Sequence, residues 1–389
     1  MTITFKKITG KIHLWLGLSS GIIIVFLGIT GCILAFEQEI KSFTEPYLYV
    51  KAENEPMLPP DRLQQIAAAQ LPGKILHSIS YSQNDRSVQV GFYNGDPEYY
   101  YVVYINQYTG EVLKVKNEDA DFFRVILTGH YYLWLPPSIG QPIVATATLI
   151  FLVMLISGLV LWWPRNKAAR KQRFSVKWTA TFKRKNYDLH NVLGFYMTWI
   201  AIFIAVTGLV WGFQWFAKSF YWATSGGKEA VEYYEAVSDK PAQLSTNTGE
   251  PAIDKVWRKM NREYPTAQLI EVHVPYNDSV AIEAVANPDA GTYWKSDYRY
   301  FDQYSLKEIN VNHPYGRYAN TTVADKIARM NYDVHTGAVW GITGKILAFF
   351  ASLIAASLPI TGFLIWRGRH RKKKVTRPIV VKKELVAVM

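Results

Sequence analysis

The sequence predicts an α-helical membrane protein with four transmembrane helices in two parallel repeats, each repeat carrying an α+β domain outside the membrane. Three observations predict it: four long uncharged apolar stretches, a lopsided distribution of basic residues, and an internal repeat. The stretches are 14–36, 142–163, 192–217 and 346–366, and none contains Asp, Glu, Lys or Arg. About 20 apolar residues suffice to cross a bilayer as a helix, so each is long enough. Between them lie polar, tyrosine-rich segments. A purely soluble globule is thereby excluded, and a chain with 49% hydrophobic and 19% charged residues is neither disordered nor fibrous. The single cysteine, Cys32, excludes an intramolecular disulfide, a thiolate zinc cluster, an iron–sulfur cluster and covalent c-type haem attachment. The first stretch is too long for the core of a secretion signal and runs into Glu37 without a cleavage site, so it reads as a retained anchor.

Charge sets the orientation. Residues 1–11, 164–189 and 367–389 together hold 21 basic and two acidic residues, whereas the rest of the chain holds 22 basic and 29 acidic. The positive-inside rule then places both termini and the loop in the cytoplasm. The basic runs read as topology signals rather than as nucleic-acid contacts. The expected organisation is a cytoplasmic N-terminus and first helix (1–36), an external domain (37–129), a second helix with a histidine-bearing segment (130–163) and a basic cytoplasmic loop (164–189). A third helix (190–217), a second external domain (218–334), a fourth helix (335–366) and a basic cytoplasmic tail (367–389) follow. Such a chain is expected to be a multi-pass protein among membrane lipid.

The repeat organises the motifs. His13 and His190 are each followed by Thr-Gly at offsets 17 and 18, namely Thr30-Gly31 and Thr207-Gly208. Small residues at 17, 21, 28 and 31, and at 194, 198, 205 and 208, share the helical face of each histidine. Likewise His130 precedes Ser157-Gly158 by 27 and 28 residues, and His335 precedes Thr361-Gly362 by 26 and 27. Outside the membrane, Ile105-Asn106-Gln107-Tyr108-Thr109 matches Phe301-Asp302-Gln303-Tyr304-Ser305. Around these lie helix-like stretches at 62–70 and 253–263 and alternating strands at 87–92 and 99–105.

This ordered pattern resembles the PepSY-associated transmembrane family. The residues that carry the resemblance are Ile12-His13-Leu14-Trp15-Leu16-Gly17-Leu18 with Thr30-Gly31, Ser157-Gly158-Leu159 with Trp163-Pro164-Arg165, and Tyr108-Thr109-Gly110-Glu111-Val112. The resemblance implies that the membrane is a bacterial inner one, with two PepSY-like α+β domains in the periplasm. It also implies kinship with inner-membrane ferric-siderophore reductases that hold two b-type haems between four helices. The second copy departs from the motif, with Ser305-Leu306-Lys307 where the external domain carries Thr-Gly.

The histidines carry the chemistry. His13, His190, His130 and His335 fall at the mouths of the four spans, while His77, His273, His313 and His370 do not. Ionisable residues in membrane helices tend to face the bundle interior and mark function. Depth pairs His13 with His190 on the cytoplasmic side and His130 with His335 on the external side. Two facing neutral imidazoles suit haem iron, and each depth offers too few ligands for zinc. The small-residue strips would admit a flat macrocycle; close helix packing is their competing explanation. His77 and His273 read as solvated strand or loop residues.

The histidine pairs lead to the expectation of di-haem b transmembrane electron transfer with no catalytic residues beyond the haems. The resemblance implies that the acceptor outside is a ferric siderophore or other ferric chelate, making the protein a haem-dependent oxidoreductase. No G-x-G-x-x-G is present, so the electron donor is a quinol or a cytoplasmic reductase. The rival expectation is a non-enzymatic, membrane-anchored PepSY regulatory or binding module without haem. Pro136 and Pro137 are expected to break the helix between His130 and Pro142, leaving residues 131–135 along the interface beneath the external domains. Tyr99, Tyr100, Tyr101 and Trp294 read as strand or core aromatics that could also face a substrate.

Overall fold

A computed structural model describes residues 5–164, 170, 173–239 and 249–370. Most of the basic tail and part of the basic loop lie outside these residues. Four described helices are long and apolar enough to cross a membrane: α1 (Phe5–Leu34), α5 (Pro137–Trp162), α6 (Phe182–Gly212) and α11 (Gly341–His370). In a bilayer core every backbone N–H and C=O must find a partner within the chain, and continuous helix is the simplest solution for such segments. They form a ring in which α1 packs on α5 and α11, and α6 packs on the same two. Thus α1 faces α6 across the bundle.

The helices extend beyond the uncharged stretches. α6 begins at Phe182, so His190 lies within it and not at its mouth, and the segment 164–189 is helical in its last turns. His13 and His190 each lie eight residues after the first residue of their helix. The third span ends at Gly212 rather than 217: Phe213 is extended (φ −136°, ψ 121°), and the chain continues as α7 (Gln214–Thr224).

The other two histidines are not on spanning helices at all. His130 lies on α4 (Phe122–Tyr132) and His335 on α10 (Asn331–Thr336). As expected, the chain breaks before α5. Leu133 and Trp134 both take positive φ (56° and 57°), and Pro137 opens the new helix, where its missing N–H costs nothing. The strained turn is held by Trp134, whose indole N–H donates to the Val125 carbonyl at 2.8 Å and whose ring lies where a side chain at Gly129 would sit. The aromatic run is thus folded back against α4 rather than laid out flat. α10 reverses similarly, with Gly337 and Gly341 supplying the positive φ values (81° and 60°).

Outside the bundle the strands of the two halves do not form two separate sheets. They make one eight-stranded antiparallel sheet ordered β4-β3-β2-β1-β5-β6-β7-β8. Its strands are β1 (Leu76–Tyr81), β2 (Val88–Gly95), β3 (Glu98–Ile105), β4 (Val112–Asn117), β5 (Leu269–His273), β6 (Ile282–Asn287), β7 (Asp297–Phe301) and β8 (Glu308–Ile309). The halves join where β1 pairs with β5. Helices α3 (Pro60–Gln70) and α8 (Ala252–Glu263) cover one face over a core of Leu63, Ile79, Phe92, Met260, Val272 and Phe301. The Asp61 N–H donates to Asp254 Oδ1 at 2.8 Å, tying the two helices together. Tyr99 and Tyr101 pack against this core, so Tyr100 points to the opposite face, where Arg124 of α4 lies 5.9 Å from its ring. That face therefore looks toward the bundle.

The turn after β7 keeps the geometry of its counterpart despite its different sequence. Leu306 takes φ 58° where Gly110 takes φ 79°, and both N–H groups bond back four residues, to Asp302 and Asn106. The carboxamide of Asn106 and the carboxylate of Asp302 each accept from the N–H groups two and three residues on, so both turns are braced in the same way.

Candidate functional site

Each of the four histidines leans on a hydroxyl-glycine pair of a neighbouring helix. His13 Nδ1 lies 2.8 Å from Ser157 Oγ, and His130 Nδ1 lies 2.8 Å from Thr30 Oγ1. His190 Nδ1 lies 2.9 Å from Thr361 Oγ1, and His335 Nδ1 lies 2.9 Å from Thr207 Oγ1. The helix pairing is reciprocal: α1 and α5 exchange contacts through His13 and, via α4, through His130, while α6 and α11 do so through His190 and, via α10, through His335. The adjacent glycine makes room for each ring. A Cβ placed on Gly158, Gly31, Gly362 or Gly208 would meet the imidazole Cε1 at 3.5, 3.7, 3.3 or 3.4 Å respectively.

The hydroxyls also decide which ring nitrogen carries the proton. Ser157 and the three threonines each donate to a backbone carbonyl one turn earlier, at Met154, Phe26, Ser357 and Phe203. A hydroxyl has a single proton, so toward the histidine its oxygen accepts. With each hydroxyl proton on its carbonyl, the proton of the imidazole sits on Nδ1 and Nε2 keeps its lone pair; for His335 the Ile204 carbonyl, which can only accept, lies 3.1 Å from Nδ1 and requires the same tautomer. This is the tautomer an imidazole needs to bind a metal through Nε2, with its orientation fixed by the bond at the other nitrogen.

The expected pairs come together. His130 and His335 face each other with ring centres 6.4 Å apart and planes at 73°. A metal–nitrogen bond of about 2 Å and about 1.1 Å from nitrogen to ring centre put two imidazoles on opposite sides of one metal roughly 6.3 Å apart. His13 and His190 line a cavity of about 430 Å³ between the helices at the other end of the bundle. That volume lies within the range of small-molecule and cofactor sites. Its walls include Gly10, Gly17, Gly21, Gly158, Gly194 and Gly362, and its rim carries Arg173 and Arg369. Among the described residues no group of three or more His, Cys, Asp or Glu is arranged to hold a metal ion.

Not every small residue serves this space. A Cβ on Gly28 would strike the Ser352 carbonyl oxygen at 2.7 Å and the Ala356 Cβ at 2.9 Å, so this position exists for close packing of α1 on α11. Gly17 and Gly21, in contrast, line the cavity.

Sequence reasoning missed the groups that set the short helices. Asp333, fully buried on α10, accepts from the backbone N–H groups of Tyr293 and Trp294, clamping the loop before β7 onto the segment that carries His335. Asn331 donates to the Thr207 carbonyl at 3.1 Å. α4 is capped by Asp121, which also meets Lys116 at 2.8 Å and Lys41 at 3.2 Å. Burial pushes the Asp121 carboxyl up, but hydrogen bonds and charge from these two lysines outweigh it and hold the group below its usual value. No local sequence signal marks these residues, because their partners come from distant elements.

Comparison with curated proteins finds no match. The family model described as the PepSY-associated TM region matches residues 11–369, which takes in all four spanning helices, the sheet and all four hydroxyl-anchored histidines. The chain is a multi-pass membrane protein belonging to the PepSY-associated transmembrane family.

Proposed function

We propose that the protein is a di-haem b electron-transfer protein of a bacterial inner membrane that reduces the iron of a ferric siderophore or similar chelate on the sheet side. The observation that carries this reading is the 6.4 Å separation of the His130 and His335 rings, each with its proton assigned to Nδ1. One haem would be held by His130 and His335 and the other by His13 and His190. A haem with two imidazole ligands supplies a one-electron couple and leaves no open iron position for oxygen chemistry.

The chain's own residues do the rest. Ser157, Thr30, Thr361 and Thr207 fix the ring orientations and keep the imidazoles neutral at Nε2. Glycine beside each hydroxyl admits the ring edge. Apolar side chains such as Leu14, Leu18, Ile24, Phe151 and Leu358 keep water from the cavity. Arg173 and Arg369 at its rim suit the carboxylates of a porphyrin. The charge distribution supports an orientation with both termini in the cytoplasm and the sheet in the periplasm, in two parallel repeats. Electrons would enter at the His13–His190 end from a quinol or a cytoplasmic reductase.

Purified protein is expected to show the reduced-minus-oxidised spectrum of b-type haem and to release two haems per chain on extraction. His130→Ala and His335→Ala should each remove the same one, and His13→Ala and His190→Ala the other. Protein made in haem-replete cells and lacking haem would refute the reading. Protein with both haems that several ferric chelates fail to reoxidise after dithionite reduction would refute the reductase assignment alone.

A further inference from the structure

The β1–β5 junction brings together His77 and His273, which the sequence gives no reason to connect. In this pairing Ser78 lies opposite His273, and the Val274 N–H donates to the His77 carbonyl at 2.9 Å. An irregularity in the pairing of β1 with β2 falls between Leu76 and Ser78, which releases His77 from the alternation that buries Ile79 and Tyr81. The two imidazoles meet with ring centres 4.8 Å apart and planes at 89°. Glu271, two residues before His273 and on the same face of β5, places Oε1 3.8 Å from His273 Nε2. Among the described residues neither imidazole ring has a hydrogen-bond partner.

The same ruler applied to the bundle histidines separates two geometries. With about 3.1 Å from metal to ring centre, two imidazoles at right angles around one metal stand roughly 4.4 Å apart, and at the tetrahedral angle roughly 5.1 Å. The 4.8 Å of His77 and His273 lies between these values, whereas the 6.4 Å of His130 and His335 suits ligands on opposite sides. The three donors are not yet closed around a point. Closing them requires movement of the side chains, of which those of Glu271 and His273 are each 26% exposed.

We propose that His77, His273 and Glu271 bind a divalent first-row transition-metal ion. Two imidazoles and one carboxylate with remaining positions open match ferrous iron best, and exclude the hard cations that demand an all-oxygen shell. The site faces the space beneath the sheet: the charge of Glu271 acts on Tyr100 and Tyr293, and Tyr293 packs on Tyr332 at 5.2 Å. Tyr332 lies 6.2 Å from Trp211, whose ring is 5.2 Å from that of His335. The site stands on its own donors and does not require the haems; if they are present, it lies where reduced iron would leave its chelator.

The test is anaerobic equilibrium dialysis of the full-length protein in detergent against ferrous iron, with Ni²⁺ as an air-stable probe and Mg²⁺ as the hard control. Wild type should bind one ion of Fe²⁺ or Ni²⁺ per chain that His77→Ala and His273→Ala each weaken about tenfold or more. Glu271→Gln should weaken it less, and Mg²⁺ should not compete. His77 is exposed at the sheet surface, so its replacement should leave the unfolding temperature and haem content unchanged. Equal Fe²⁺ binding by wild type and His77→Ala, or displacement by Mg²⁺, would overturn the proposal. Haem content, measured on the same samples, reports separately on the reading of the bundle.

Discussion

Replacing Thr30 by valine tests the hydroxyl anchor with little change in shape. Thr30 Oγ1 accepts from His130 Nδ1 at 2.8 Å, and among the described residues no other acceptor serves that nitrogen. The variant leaves an N–H inside the bundle without a partner, at a cost of about 1–3 kcal/mol. If the cost falls on the ligand-bound state, affinity at the His130–His335 level drops by about five- to 150-fold. Thr207 offers the internal control. His335 Nδ1 lies 2.9 Å from Thr207 Oγ1 but also 3.1 Å from the Ile204 carbonyl, which remains in Thr207→Val. Its loss should be limited to the net worth of one bond, about 0.5–1.5 kcal/mol, or about two- to twelvefold. The assay is haem titration into stripped protein, with the midpoint potential recorded for each variant. A Thr207→Val defect equal to or larger than that of Thr30→Val, or no defect in either, would refute the assignment of the proton to Nδ1.

Three further outcomes follow. Gly362→Leu places a side chain where a bare Cβ already meets His190 Cε1 at 3.3 Å, so it should abolish binding at the His13–His190 level and spare the other, as read by haem content per chain. Glu308 is pushed up by burial, but hydrogen bonds from Arg317 and Arg299 prevail and hold its carboxyl at about 2, against 4.5 for an ordinary glutamate. A depressed carboxyl adds stability above its unfolded value, and that contribution disappears as pH falls from about 4.5 to about 2; Glu308→Gln should remove this part of the acid-denaturation profile. Reporter fusions near Asn94 and Asp289 should read periplasmic and a fusion after Lys177 cytoplasmic; a cytoplasmic reading at Asn94 would refute the proposed orientation.

The spans and the histidine pairs were legible because both depend on one-dimensional patterns. An uncharged run of sufficient length has few alternatives to a membrane helix, and four histidines at matched offsets from Ser/Thr-Gly pairs betray a common geometry. The helix ends were less legible. Lys183, Arg184 and Lys185 look like loop residues, yet a helix can carry charge past the bilayer surface, and α6 does so from Phe182. Placing His130 and His335 on separate short helices needed the positive φ values at Leu133, Trp134, Gly337 and Gly341, of which only the glycines signal themselves. The role of the Ser/Thr-Gly pairs was hidden because their partners lie on other helices. The meeting of His77 with His273 was invisible for the same reason: it follows from the pairing of two strands from different halves of the chain, and the residues do not correspond in the two halves.

That strand pairing has a further consequence. β1 and β5 occupy the centre of the sheet, and each would be an open edge if its half stood alone. An unpaired strand with an apolar face, such as Ile79 and Tyr81 of β1 or Ile270 and Val272 of β5, is a template for whatever strand comes near. The outer edges are poor templates by comparison, since β8 is two residues long and β4 carries Lys114 and Lys116. A chain cut between the halves would therefore not give two independent proteins. Each piece would seek a second copy of itself or of its sibling along the exposed strand. The fusion of both halves in one polypeptide turns an assembly problem, with its dependence on concentration and its wrong partners, into a folding step.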